Sequence, residues 1–353
     1  MKKNFFIFGL ILLLISVSCF TNPNAIKPDQ PVGSQIYLPV INEGASNNHS
    51  EENSPSNQEG ESPKETEHVI PIIESGIPTP TLAIEIQDSG NNSLIIPFKG
   101  LLQPPIPLGF TRTIDNSYRF GTTQEGTRIP HDGVEFYNPS GTPVLSAANG
   151  HVYFAGSDDQ TIFGQFNNFY GNLIIIEHDV KWSDQSVFTV YAHLSVIYVK
   201  PGDIVKEGEI IGEVGATGSA IGSHLHFEVR IDGSNLENRL NPELFLTLLE
   251  TQPETPSGIL VGNILDNQQQ KVPDNKFVIQ PIVNGHIITE KAYYLETYAM
   301  NVPSDPNWQE NFVLSNIPVG DYRLSTFINN QFLEKFITIK EKSMTFISLF
   351  PDK

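Results

Sequence analysis

Hydrophobic and polar positions alternate with a period of two through much of the second half of the chain, the pattern of half-buried strands. Between residues 121 and 250 the runs GHVYFAG, NLIIIEH, VFTVYAH, EIIGEVG and HLHFEVR are short, and Gly, Asp or Asn separates several of them. That punctuation predicts strands joined by turns. No long amphipathic helical pattern precedes PELFLTLLE at residues 242–250, which is itself short. After the linker TQPETPSG (251–258) come GILVGNILD, KFVIQPIVNG, YYLETYAM, NFVLSN, DYRLSTFI, LEKFITIK and SMTFISLF, seven strand candidates in under 100 residues. Strands at that density predict a small β-sandwich. The chain is therefore expected to be all-β, with a strand-rich domain at 121–250 followed by a β-sandwich accessory domain at 259–353.

Upstream the pattern changes. The opening MKKNFFIFGLILLLISVSCF has a short basic region, an apolar run and small residues. It predicts a secretory signal at 1–19, too short and wrongly flanked for a membrane span. Cys19, the only cysteine, stands where the signal ends. The segment resembles a bacterial lipoprotein signal, although Ser16 occupies the position where leucine is preferred. That resemblance implies a lipidated Cys19 as the first mature residue and a membrane anchor. No cysteine remains for a disulfide, so an exported location rests on the signal alone. Residues 41–70 hold seven Glu and one Lys among many Ser and Asn. Such composition does not recover the entropy of ordering, so 20–70 is expected to be a flexible acidic tether. At 71–120 the runs VIPIIE, LAIEI and SLIIPF alternate with prolines, which predicts an extended lead-in. A formal charge of −19, from 40 acids against 21 bases, argues against a nucleic-acid partner, because binding phosphates takes clustered Lys and Arg.

The candidate chemistry is carried by histidines. In SHLHFEV, His224 and His226 share a strand face across Leu225, as alternation requires. Phe227 is expected on that face as well, with Leu225 and Val229 on the other. In PHDGVEF, an extended backbone puts His131 and Glu135 on one side, with Gly133 leaving room between them and Asp132 opposite. His193 closes the alternating run TVYAH. Zinc favours four-coordinate sites of imidazole and carboxylate, a catalytic site keeping one position for water. His131, Glu135 and His226 supply two imidazoles and one carboxylate, a set whose cation keeps a net positive character and can acidify water or polarise a carbonyl. His193 and His224 would stay unliganded, one to accept a proton and the other to stabilise the developing oxyanion, in either order. The plain alternative is a set of packing or surface histidines.

Taken together, PHDGVEF, GTPVLSAANGHVYFAG, NLIIIEH, TVYAHLS and VKPGDIVKEGEIIGEVGATGSAIGSHLHFEVR resemble the lysostaphin/LytM-type metallopeptidases of the M23 family. The likeness runs in order from Arg128 to Pro242, roughly a third of the chain. It implies zinc (Zn2+) bound by His131 and His226, catalysis by His193 and His224, and hydrolysis of the peptides of bacterial peptidoglycan. The family usually has aspartate where this chain has Glu135, a residue of the same charge that is one methylene longer. The alternative reading is a non-catalytic M23-like regulator or cell-wall-binding module, with cell-wall or divisome proteins as partners. Retention of all four histidines favours the hydrolase. The stretch NIPVGDYRLSTFINNQFLEKFITI is similar to carboxypeptidase regulatory-like modules, which implies a binding or spacing role. In the insertion 157–172, Phe163, Phe166, Phe169 and Tyr170 are expected to pack on their own domain, a groove wall being the alternative. His151 and His178 are placed near the cleft in supporting roles.

Overall fold

The computed structural model describes residues 93–249 and 255–351. The signal at 1–19 with Cys19, the tether at 20–70, residues 71–92 of the lead-in and residues 251–254 of the linker lie outside them. In chain order the first strands are β1 (Ser93–Pro97), β2 (Val134–Phe136), β3 (Pro143–Leu145), β4 (Gly150–Ser157), β5 (Asn172–Trp182) and β6 (Gln185–Ala192). Then come β7 (Val196–Ile197), β8 (Ile204–Val205), β9 (Ile210–Glu213), β10 (Leu225–Ile231) and β11 (Arg239–Leu240). The C-terminal part holds β12 (Ser257–Ile264), β13 (Lys276–Val283), β14 (His286–Ile287), β15 (Tyr293–Glu296), β16 (Phe312–Pro318), β17 (Gly320–Ile328), β18 (Gln331–Ile339) and β19 (Ser343–Leu349). The fold is all-β, and each of the seven C-terminal candidates corresponds to a strand.

One sheet runs β11-β10-β6-β5-β4-β8, with β2 pairing on β10, and a smaller sheet is ordered β3-β9-β7. They enclose a core that includes Phe136, Val152, Ile174, Tyr191, Leu225, Phe227 and Val229. In the C-terminal part, the sheet β1-β19-β12-β16 faces β14-β13-β17-β18 with β15 on β13. Leu260, Phe312 and Ile347 from one sheet meet Phe277, Leu324 and Ile337 from the other, as in a sandwich. The first of these sheets is buried on both faces. Ile259, Val261, Val313 and Met344 point away from the sandwich core and into the same apolar cluster as Leu102 and Phe245. Two buried faces explain why ILV in β12 is a continuous apolar run rather than an alternation. The lead-in supplies β1, which pairs antiparallel with β19.

PELFLTLLE forms no α-helix. Only Pro242–Leu244 makes a single 3-10 turn, capped by the Asn241 side chain accepting from the Glu243 N–H. Glu243 is pinned by Arg119 at 2.6 Å, and Leu246 bridges to Leu102, so tertiary contacts draw the segment out where a helix would wind it in. Among the described residues no helix is long and apolar enough to cross a membrane.

Candidate metal centre

Strand β10 lies between β6 and β2, and register decides what faces what. His226 stands opposite Glu135 of β2 on one side and Ala192 of β6 on the other. Alternation puts His224, His226, Glu228 and Arg230 on one face, while Leu225, Phe227 and Val229 enter the core. Phe227 is therefore on the face away from the histidines, contrary to expectation, and its ring packs edge-on against Tyr191 and Phe136. The third polar position on the histidine face is Glu228.

His131 sits in a loop, not in a strand. Its N–H donates to Thr122 O at 3.1 Å, its carbonyl accepts from Gly121 N at 2.8 Å, and its ring stacks on Tyr118 at 4.1 Å. Gly133 is required between the loop and β2. A Cβ there would lie 2.4 Å from Phe227 O and 2.9 Å from the His226 ring. With that space kept clear, three atoms converge: His131 Nε2 is 2.8 Å from Glu135 Oε1, His226 Nδ1 is 3.1 Å from the same oxygen, and the two nitrogens are 3.3 Å apart. Ligands about 2.0–2.1 Å from a tetrahedral zinc ion stand about 3.3 Å from one another; the 3.1 and 3.3 Å separations match that spacing, and the 2.8 Å pair would open by about 0.5 Å around an ion. Among the described residues this is the cluster able to hold a metal ion. Two further atoms, His131 Nδ1 and Glu135 Oε2, are buried with no hydrogen-bond partner. That second carboxylate oxygen lies 3.2 Å from His224 Nε2.

The electrostatics ask for a cation. Burial works against the charge on Glu135, but His226 and then His131 hold its carboxyl well below the usual range. Burial likewise opposes a charged His226, yet Glu135 and Glu228 push it up to about 10. A buried site that recruits a proton to balance its carboxylate offers a place for a metal ion instead of that proton.

Behind His226 lies a charged arrangement that was not anticipated from the sequence. His226 Nε2 is 3.0 Å from Glu228 Oε1. Glu228 Oε2 accepts from Arg230 Nε at 2.8 Å, and Tyr170 OH donates to Glu228 Oε1 while accepting from Arg230 Nη2 at 2.9 Å. All three of these partners are fully buried. A carboxylate on the far nitrogen fixes the tautomer and turns Nδ1 toward the triangle, where it could bind a metal ion. Asp132, the other acid near His131, is occupied elsewhere, 2.7 Å from Arg239 Nε and accepting from Gln165 Nε2 at 2.8 Å.

His193 and His224 stand beside the triangle with ring centroids 4.9 Å apart. His193 Nδ1–H donates to Thr217 O at 2.9 Å, and His224 Nδ1–H donates to Gly222 O at 3.1 Å. Each tautomer leaves Nε2 as an acceptor. Burial first, then His226 and His224, pushes His193 down to about 3; burial also lowers His224. Both rings are therefore neutral. His193 adopts φ 63°, a left-handed conformation that costs a non-glycine residue about 1–3 kcal/mol and is characteristic of functional sites. Gly215 joins the pair: it bridges to His224, and a Cβ on it would lie 2.7 Å from His193 O.

All four histidines and Glu135 line a cleft of ≈ 380 Å³ whose rim includes Tyr118, Tyr137, Phe169 and Ile221. Of the insertion aromatics, Tyr170 is buried, Phe163 and Phe169 are half-buried against the same cluster, and Phe166 is exposed. His151 and His178 do not reach the cleft. His178 is buried 2.7 Å from Thr189 Oγ1, and His151 sits 3.4 Å from Glu177 at the surface.

Residues 129–238 match the family model described as peptidase family M23. The cell division protein DipM of Caulobacter vibrioides is 42% identical over 106 residues, 30% of this chain and 15% of that protein. The DD-carboxypeptidase/endopeptidase Mpg of Neisseria meningitidis serogroup B is 38% identical over 128 residues, 36% of this chain and 26% of that protein. The peptidoglycan DD-endopeptidase ShyB of Vibrio cholerae is 39% identical over 106 residues, 30% of this chain and 22% of that protein. The chain thus spans about a quarter or less of the length of these relatives.

Proposed function

We propose, from the premise that residues 129–238 belong to peptidase family M23, that the chain is a zinc-dependent endopeptidase acting on the peptides of bacterial peptidoglycan. The observation that carries this reading is the triangle of His131 Nε2, Glu135 Oε1 and His226 Nδ1, set in one cleft with two neutral imidazoles. Those three residues would hold the metal. A zinc ion there would supply Lewis-acid polarisation of a carbonyl and a water acidified to near neutral pH. His193 and His224, whose Nδ1 atoms are held by backbone carbonyls, would take up a proton and steady the oxygen of the tetrahedral intermediate. Glu228 would keep His226 turned toward the metal. The names of Mpg and ShyB support the peptide-cutting reaction, and that of ShyB supports the polymer.

The domain plan belongs to the same proposal: a peptidase domain at 121–250 and an accessory β-sandwich at 259–353, exported by the signal at 1–19 and tethered through a lipid on Cys19 and the acidic stretch 20–70. Purified protein should carry about one zinc ion per chain and release new amino termini from isolated peptidoglycan. A chelator should abolish the release and added zinc restore it. Zinc-loaded protein that yields no products from several wall types would favour the non-catalytic regulator instead.

Zinc uptake should also release protons. Because His226 is pushed up to about 10 without metal, its Nδ1 proton is present at pH 7 and must leave when the ion arrives. Calorimetry in buffers of different ionisation enthalpy should report about one proton released at pH 7, with affinity weakening as pH falls. Heats independent of the buffer would contradict this.

A further inference from the structure

A second groove, ≈ 700 Å³ against ≈ 380 Å³ for the metal cleft, lies where the loop around residues 116–125 meets the outward face of β13, β15, β17 and β18. The register of these strands sends Phe277, Leu324 and Leu295 into the sandwich core and leaves Tyr294, Phe327 and Phe332 on the outer face. Those three rings are 74%, 63% and 48% exposed, and Phe327 and Phe332 form a cross-strand pair with centroids 5.2 Å apart. They add little to the core, which the opposite face of the sheet supplies. Large rings kept in water on a sheet face mark a binding surface.

The groove is formed in advance of any ligand. Glu296 accepts from Thr123 Oγ1 at 3.1 Å and from the backbone N–H of Glu125 at 3.4 Å, which ties one wall to the other. Its cations are already balanced: Lys276 pairs with Glu125 at 2.7 Å and Arg119 with Glu243 at 2.6 Å. With a chain charge of −19, such a surface does not attract a phosphate-rich polymer. Exposed rings among the amides and hydroxyls of Asn275, Gln124 and Ser117 suit a neutral polyhydroxylated ligand, whose C–H faces lie on the aromatics while its hydroxyls meet the polar rim. The groove and the metal cleft share no lining residue, but one loop contributes to both. Ser117 lines the groove, and the next residue, Tyr118, stacks on His131 and lines the metal cleft.

We propose that this groove binds the glycan strand of peptidoglycan, so that a peptide branching from that strand enters the neighbouring metal cleft. The inference rests on the endopeptidase reading for its polymer, but its test does not need turnover. Zinc-stripped protein, which should not cut, is sedimented with insoluble peptidoglycan and titrated with β-1,4-linked N-acetylglucosamine oligomers, a neutral, peptide-free glycan that lacks the carboxylates exposed when the peptides are removed from the wall polymer. The double substitution Tyr294→Ser and Phe327→Ser is expected to weaken binding to both by about tenfold or more, the scale of removing aromatic anchors. Phe332→Ser alone gives an independent reading at a second ring. With zinc restored, metal content and cleavage of a short soluble cross-link peptide should stay at wild-type level, which also shows that the variants fold. Unchanged affinity for peptide-free glycan in both variants would overturn the proposal, as would binding only to peptide-bearing material. If glycan binding falls in the variants while the wild type cuts no wall at all, the groove stands and the endopeptidase reading fails.

Discussion

Glu135→Gln is expected to lower zinc affinity by more than about a hundredfold and to abolish peptidoglycan cleavage with it. Glu135 supplies the only negative charge in the triangle, and its Oε1 is the atom that both imidazoles approach, at 2.8 and 3.1 Å. The amide keeps the shape but removes the charge, leaving two neutral imidazoles to hold a divalent ion. The loss should exceed the 10–100-fold typical of altering an outer partner. Asp132→Asn is the control, because Asp132 is held by Arg239 and Gln165. Weakening that buried pair should lower the melting temperature while leaving zinc near one per chain. Metal titration of the two variants decides between them: equal losses, or a larger loss in Asp132→Asn, would show that the wrong carboxylate has been assigned.

Glu228→Gln should cost about 10–100-fold in zinc affinity without removing a ligand. The substitution takes away the charge that holds His226 Nε2–H and leaves Arg230 buried with its counter-charge gone. Breaking a fully buried pair costs about 3–5 kcal/mol, so the variant should also be less stable. The pH dependence separates this role from simple packing. Burial opposes the Glu228 charge, but Arg230 and His226 hold its carboxyl down to about 2 in the folded chain against an ordinary value of 4.5. A carboxyl depressed on folding contributes stability that is present above 4.5 and is lost as pH falls toward 2. The wild type should therefore lose stability through that window and Glu228→Gln should lose less of it. Parallel acid denaturation curves would rule out the charge as the reason for conserving stability at Glu228.

The strand pattern was legible because a buried face and a wet face alternate in most of these strands, and the same parity brought out His224 and His226 as a pair. Carried two and then four residues further, that parity places Glu228 and Arg230 behind them and Phe227 in the core. A buried Glu–Arg pair is hard to credit from sequence, since its partners come from elsewhere: Tyr170 lies in the insertion, 58 residues before Glu228 in the chain. The loop position of His131 was equally hidden, because its anchors are backbone groups of Thr122 and Gly121 and the ring of Tyr118. Gly133 was legible as spacing alone, while the ring and carbonyl that demand it come from β10. PELFLTLLE has helical composition but no helical surroundings: Glu243 is claimed by Arg119 and Leu246 by Leu102. The groove beside the metal cleft depends on how β13 and β17 pair, which no single segment encodes.

Anomalous scattering from zinc-soaked crystals tests the central claim most directly. A single strong peak is predicted about 2.0–2.2 Å from His131 Nε2, Glu135 Oε1 and His226 Nδ1, with Asp132 outside coordination distance. A zinc-saturated crystal with no peak inside that triangle, or an ion held by Asp132 in place of Glu135, would contradict it.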